Sequence, residues 1–359
     1  MLTGYSYIQS SCAAFSPLAF VLLLSPVAVM NEGIAFFYNR ILDVTAFGSI
    51  ATKPLCIYIV ITKTPKYMRT VSYFILNELL WSFTVNLLYS LGHPLPMMPA
   101  MCFRMDGLAA EWIKSEVQQL LYFIAIILSA VNFTVGLVNT FIYRYVTLHF
   151  SAISRFHRIC GCALFVVAHL MMSLFVAFLF RFFQIPVLEY PERNLLEDSR
   201  NVFCLDPHTN ILFYAIFLFF ACMSILLALF AGLSIRELRM KIHAMKKKTL
   251  HMQKEIQRNL LVITGWSVLV GFIPMFIFIL FVCHGKWPYA RSIALISMML
   301  PLNHGTFYAA LILYLFKPYR KAIVDILKAF KSISIKALPI CCSRKITNTV
   351  VMSGKNVKY

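Results

Sequence analysis

Two ionisable residues stand where water is scarce. Lys53 and Glu78 lie inside long apolar runs, ten residues before Lys63 and nine residues after Arg69. At about 1.5 Å of rise per helical residue, both fall roughly 14–15 Å from the same membrane surface. A charge inside hydrocarbon is costly unless it faces a bundle interior or a partner. The two are therefore candidates for an intramembrane charge pair, which would tie two helices together or answer a ligand.

Cysteine chemistry is the next possibility. Most of the ten cysteines fall in apolar segments, where the side chain packs as a small hydrophobe. Cys102 and Cys204 instead lie in acid-rich connections between apolar runs, where an oxidising face permits a disulfide. Two unpaired thiols, or a pairing that involves Cys283, are the alternatives, since connectivity does not follow from sequence. Cys341 and Cys342 follow Lys336 in a basic tail and are candidates for palmitoylation at the inner leaflet, against a reading as reduced thiols.

Catalysis and metal binding find no support in the residue pattern. The nine histidines include no HxxxH or HExxH pair, and the cysteines show no zinc-type CxxC spacing. No glycine-rich phosphate loop, paired acids or nucleophile arrangement is visible, so the chain reads as a non-enzyme without cofactor or metal. Asn132, Asn139 and Asn303 lie in apolar runs, where amides usually tie helices by hydrogen bonds.

These residues need a membrane bundle to hold them. The chain of 359 residues is 60% hydrophobic and 13% charged, against about 25% charged for a soluble domain. The net charge of +19 lies beside apolar segments rather than on a soluble surface, which argues for membrane lipids and against a nucleic-acid partner. The basic stretch 236–258 organises the topology. It holds eight Lys or Arg against two acids, as cytoplasmic flanks of membrane helices do.

Counting crossings from that stretch gives seven helices, near 44–62, 71–91, 117–143, 160–180, 210–233, 260–283 and 292–315. Inner segments then hold 24 Lys or Arg and 3 acids, and outer loops hold 7 and 8, a strong positive-inside bias. The expected fold is an all-α polytopic membrane protein, a seven-transmembrane helix bundle with its C-terminus inside. A hydrophobic run at 15–30 precedes it, to be read as an extension, an extra span or a signal-like segment. Domain boundaries follow as an N-terminal region 1–43, a bundle 44–316 and a basic tail 317–359. Pro274 and Pro301 lie inside the sixth and seventh helices and are expected to kink them. Beyond residue 320, Ile323, Ile326, Leu327, Phe330 and Ile333 repeat at helical spacing, predicting an amphipathic helix on the membrane.

Several stretches resemble nematode serpentine chemoreceptors of the Str superfamily, nearest to its Srh, Str and Srd classes. The matching pieces are KTPKYM at 63–68, LNELLWS at 76–82, YRY at 143–145, KTLHMQKEIQRNL at 248–260 and FKPYRKA at 316–322, in family order. KPYR is the most specific of them. The resemblance implies a G-protein-coupled odorant or pheromone receptor of sensory neurons, in the plasma membrane and its sensory cilia. A small-molecule ligand and a heterotrimeric G protein are the implied partners. Arg144 in YRY matches the position expected to face the G protein, with Lys246, Lys247, Lys248 and Arg258 completing that surface. The DRY, CWxP and NPxxY patterns of rhodopsin-like receptors are missing, so their residue roles do not transfer.

Among function classes, a receptor fits best, because prolines in two helices beside a basic inner face supply moving parts. A ligand-gated channel or small-solute transporter shares this hydropathy and is the alternative. Transporters usually show repeats between halves, and none is visible.

Overall fold

The computed structural model describes residues 17–150, 155–191, 200–207, 210–243 and 245–329. Cys341 and Cys342, with all of the tail beyond residue 329, lie outside them. Each apolar run becomes a helix because a backbone in hydrocarbon must satisfy its own N–H and C=O groups. The helices are α1 (Pro17–Lys63), α2 (Arg69–Gly92), α3 (Glu116–His149), α4 (Arg155–Phe182) and α5 (Asn210–Met240). The sixth, α6, is composite: an α-helix over Lys247–Trp266, a π-helical stretch over Ser267–Phe272 and a second α-helix over Ile273–Cys283. The last is α7 (Ala290–Leu315), which passes through Pro301. Among the described residues, these seven are long and apolar enough to cross a membrane, α1 counted from Gly33.

Two helix boundaries differ from the hydropathy reading. Helix α1 runs unbroken from Pro17 through Pro54 to Lys63, so the run at 15–30 leads, from Pro17 on, straight into the first crossing. Much of the basic stretch 236–258 is helical too, since α5 reaches Met240 and α6 starts at Lys247, which leaves 241–246 as the connector. Lys, Arg, Gln, Glu and Met are good helix formers. Charged turns therefore extend both helices past their apolar parts.

Helix α3 is the axis of the bundle. Its apolar window is 67% buried, against 11% in α4 and in α5, and it packs on α2, α4 and α5. Small and hydroxyl side chains make this possible: Ser129, Thr134, Gly136 and Thr140 are all buried, and such residues let helix backbones approach closely. A β-carbon on Gly136 would lie 2.9 Å from Asn77 Nδ2 of α2. Helix α7 closes the ring against α1 and α6.

The connections at the end opposite residues 241–246 form a small sheet. Its strands are β1 (Pro94–Pro96), β2 (Cys102–Met105), β3 (Gln184–Ile185) and β4 (Val202–Leu205), antiparallel in the order β1-β2-β4-β3. Cys102 and Cys204 face each other in the β2–β4 register and form a disulfide, with Cα atoms 4.1 Å apart. Phe103 stacks on Phe203, and both pack on Phe123 of α3. The sheet is thereby seated on the bundle.

At the other end the chain turns at Phe316 and continues as a helix over 317–329. Tyr319 and Ala322 point inward and are buried, while Lys317, Arg320, Lys321 and Lys328 are exposed.

Candidate ligand cavity and the polar band beneath it

A cavity of about 110 Å³ lies in the sheet-side half of the bundle. Strand residues Pro94, Pro96 and Phe103 roof it. Its walls are Val85 of α2, Phe123, Ile126 and Phe133 of α3, Phe220 of α5, Phe272, Met275 and Phe278 of α6, and Met298 of α7. For scale, an engineered apolar cavity of about 150 Å³ takes benzene. Among the described residues no Asp, Glu, Lys or Arg lines it; the polar contributors are Ser82, Asn86, Tyr89, Thr134, Ser267 and His304.

Those polar groups are held by protein partners. Asn86 Nδ2 donates to the Leu302 carbonyl (2.8 Å), and Thr134 Oγ1 to the Ala130 carbonyl (3.1 Å). Tyr89 donates to the Pro94 carbonyl (3.4 Å) while its oxygen lies 2.6 Å from the Tyr38 hydroxyl of α1. Ser267 Oγ donates to the Ile263 carbonyl (3.1 Å) and lies 3.0 Å from His304 Nε2. The π-helical stretch itself faces the cavity through Ser267, Gly271 and Phe272. It ends two residues before Pro274, whose missing N–H takes a rung from the helical ladder.

A polar band crosses the bundle below the cavity. Lys53 is fully buried and donates to Ser82 twice, to its carbonyl (2.7 Å) and to its hydroxyl (3.1 Å). Glu78, also buried, accepts from Thr140 Oγ1 of α3 and from the Tyr308 hydroxyl of α7. No ion pair joins Lys53 to Glu78, so the charge pair expected from their matched depth is not formed. Ser82 is one helical turn beyond Glu78 on the same face of α2, and Lys53 reaches that turn instead. Asn132 ties α3 to α4 through Ser173 (3.0 Å) and His169 (2.6 Å), and Asn303 accepts from Thr45 of α1 (3.1 Å).

The basic end brings the remaining motifs together in pairs. Arg144 of YRY is 4% exposed and donates from Nη1 to Gln253 Oε1 of α6 (2.9 Å). Its Nε and Nη2 are buried with no hydrogen-bond partner among the described residues. Lys246, Lys247, Lys248 and Arg258 are exposed, whereas Arg144 is buried. Thr64 of KTPKYM meets Tyr319 of KPYR at 2.9 Å, and burial raises the pKa of the Tyr319 phenol above its ordinary value. Asn259 Nδ2 caps the end of α7 at the Leu315 carbonyl (3.0 Å), and Lys241 Nζ holds the last turn of α3 at the His149 carbonyl (2.8 Å).

Sequence reasoning singled out the charges, cysteines and prolines. It missed the π-helical stretch, the Tyr38–Tyr89 link, Gln253 and His304. His304 carried a signal, as an imidazole three residues past Pro301 in an apolar run, and the π-helical stretch had only the proline that follows it. The family model for the serpentine type 7TM GPCR chemoreceptor Srh matches residues 34–329, which takes in the sheet, α1 from residue 34 and the other six helices. No curated protein matches the chain.

Proposed function

Because the chain belongs to the serpentine type 7TM GPCR chemoreceptor Srh family, we propose that it is a chemosensory receptor of the odorant or pheromone type that binds a small molecule in the cavity and signals through a heterotrimeric G protein at its basic end. It works in the plasma membrane of sensory neurons, with the cilium as the place where ligand is met. Sidedness follows from the charge bias, which puts the sheet outside and the basic connector inside.

One observation carries the reading: the cavity wall includes the π-helical stretch of α6 and Pro301 of α7. Single π-helical turns are rare and are frequently found at functional sites. A ligand that contacts Ser267, Gly271 or Phe272 bears on the joint between the two α-helical halves of α6. The inner half carries Gln253, the partner of Arg144. Ligand occupancy and the inner surface are thus connected through one helix, and a ligand shifts the equilibrium to the extent that it prefers one state of that joint.

The experiment is a volatile-compound screen on cells expressing the full chain, with a G-protein readout and simultaneous current recording. Met275→Trp, which fills the cavity, should abolish the response to any active compound while surface level is kept. An unchanged response in Met275→Trp would overturn the cavity reading. Currents that persist without G protein would favour a ligand-gated channel.

A further inference from the structure

The chemistry of the cavity's deep end points to a class of ligand. His304 is 5% exposed and lines the cavity from α7, its ring edge-to-face with Phe133 at 5.6 Å. Its orientation is set by Ser267. A serine hydroxyl has a single proton, and that of Ser267 goes to the Ile263 carbonyl one turn back, a common arrangement for serine in a helix. At 3.0 Å from His304 Nε2, Ser267 Oγ is therefore the acceptor, and Nε2 carries the imidazole proton. The other ring nitrogen, Nδ1, is then a bare lone pair, with no protein partner among the described residues.

The surroundings of the ring favour access. A β-carbon on Gly271 would lie 3.9 Å from His304 Cγ, so a larger residue there would crowd the imidazole. The donors that could greet a carbonyl ligand are mostly committed elsewhere. The hydroxyls of Thr134, Tyr89 and Ser267 all donate to backbone carbonyls, and Asn86 Nδ2 donates to the Leu302 carbonyl, while Ser82 Oγ accepts from Lys53.

We propose that His304 Nδ1 accepts a hydrogen bond from a neutral, largely apolar ligand bearing a hydroxyl, an alcohol or phenol of about benzene's size, in preference to an aldehyde, ketone or ester of the same shape. This rests on the reading of the cavity as the ligand site. A donor-bearing ligand satisfies the lone pair, whereas a carbonyl ligand sets two acceptors against each other and leaves both unpaired. Sites built around a hydrogen bond reject analogues lacking it far better than apolar pockets reject a missing methylene.

The test uses the full chain in lipid nanodiscs and three probes of one shape: benzyl alcohol, benzaldehyde and toluene, with binding followed by ligand-detected NMR titration. Benzyl alcohol should bind roughly three- to tenfold tighter than the other two, the range one neutral hydrogen bond supplies. His304→Phe should erase that preference while toluene still binds. Ser267→Ala removes the group that fixes the tautomer, so benzaldehyde should gain on benzyl alcohol. No preference in the wild type, a preference surviving His304→Phe, or no binding of any probe would each overturn the proposal. Met275→Trp separates the two levels. Toluene binding lost in that variant, without a hydroxyl preference in the wild type, defeats only the ligand class. Toluene binding kept in it shows the probes lie elsewhere and defeats the cavity reading as well.

Discussion

The ammonium of Lys53 occupies the space that a β-carbon on Gly305 would need. Helix α7 thus offers bare backbone where α1 presents its buried charge, and Ser82 of α2 completes the seat. Gly305→Ala must push the ammonium off Ser82, so it should cost about 1–3 kcal/mol, as overpacking a close-fitted interior does. Thermal unfolding of the purified protein in detergent reads this directly. Lys53→Met, whose uncharged chain can bend away, should recover part of the loss in the double variant. A neutral Gly305→Ala would mean the seat is loose.

Glu78 is held by hydroxyls, and double-mutant cycles should show it. Tyr308→Phe removes a donor to a buried carboxylate, a loss of about 1.5–3 kcal/mol. Once Glu78 has become Gln, the same substitution should cost markedly less. Lys53→Met and Glu78→Gln share no hydrogen-bond partner, so their effects on unfolding should add to within about 0.5 kcal/mol. Strong coupling between Lys53 and Glu78 would restore the ion pair that the geometry withholds.

Arg144 and Gln253 fasten α3 to α6 at the inner end. Gln253→Ala should raise ligand-free signalling by roughly tenfold at unchanged surface level, because a hydrogen bond to a charged group is worth about 1.5–3 kcal/mol. Arg144→Lys keeps the charge but loses the planar fork. Ligand-evoked signalling should fall while ligand binding stays near wild type. Unchanged signalling would leave Arg144 only a packing role.

The disulfide joins the two connections that make the roof across 102 residues of chain. Replacing Cys102 and Cys204 by Ser frees a loop whose closure is worth about 4.7 kcal/mol on the chain-entropy estimate for a loop of that order. Ligand binding should weaken along with stability, since Phe103, next to Cys102, lines the cavity. Retained affinity in the double variant, at a temperature where it stays folded, would show that the roof is dispensable for binding.

Helix number and order were legible in the sequence, because hydrocarbon forces each apolar run into a helix. Partnerships across the bundle were not. Counting residues from Lys63 and Arg69 gives depth, but one helical turn of error, about 5.4 Å, separates Glu78 from Ser82 as the target of Lys53. The sheet escaped for another reason. Its strands are two to four residues long and β1 and β4 are buried throughout, so the alternation that marks a half-exposed strand never develops. The π-helical stretch has an apolar sequence, SVLVGF, like any other crossing segment, and only the following proline hinted at disturbance.

That stretch also decides the kind of motion α6 can make. An i→i+5 ladder stores a surplus residue relative to an α-helix. When the ladder over Ser267–Phe272 anneals to i→i+4, the inner half of α6 turns by one residue's share of a helical turn, about 100°, while advancing only about 1.5 Å. The helix then works as a screw rather than a lever. Such annealing would turn Gln253 away from Arg144 and exchange the exposed face of the inner half of α6 for its neighbour, with little change in the distance between helix axes.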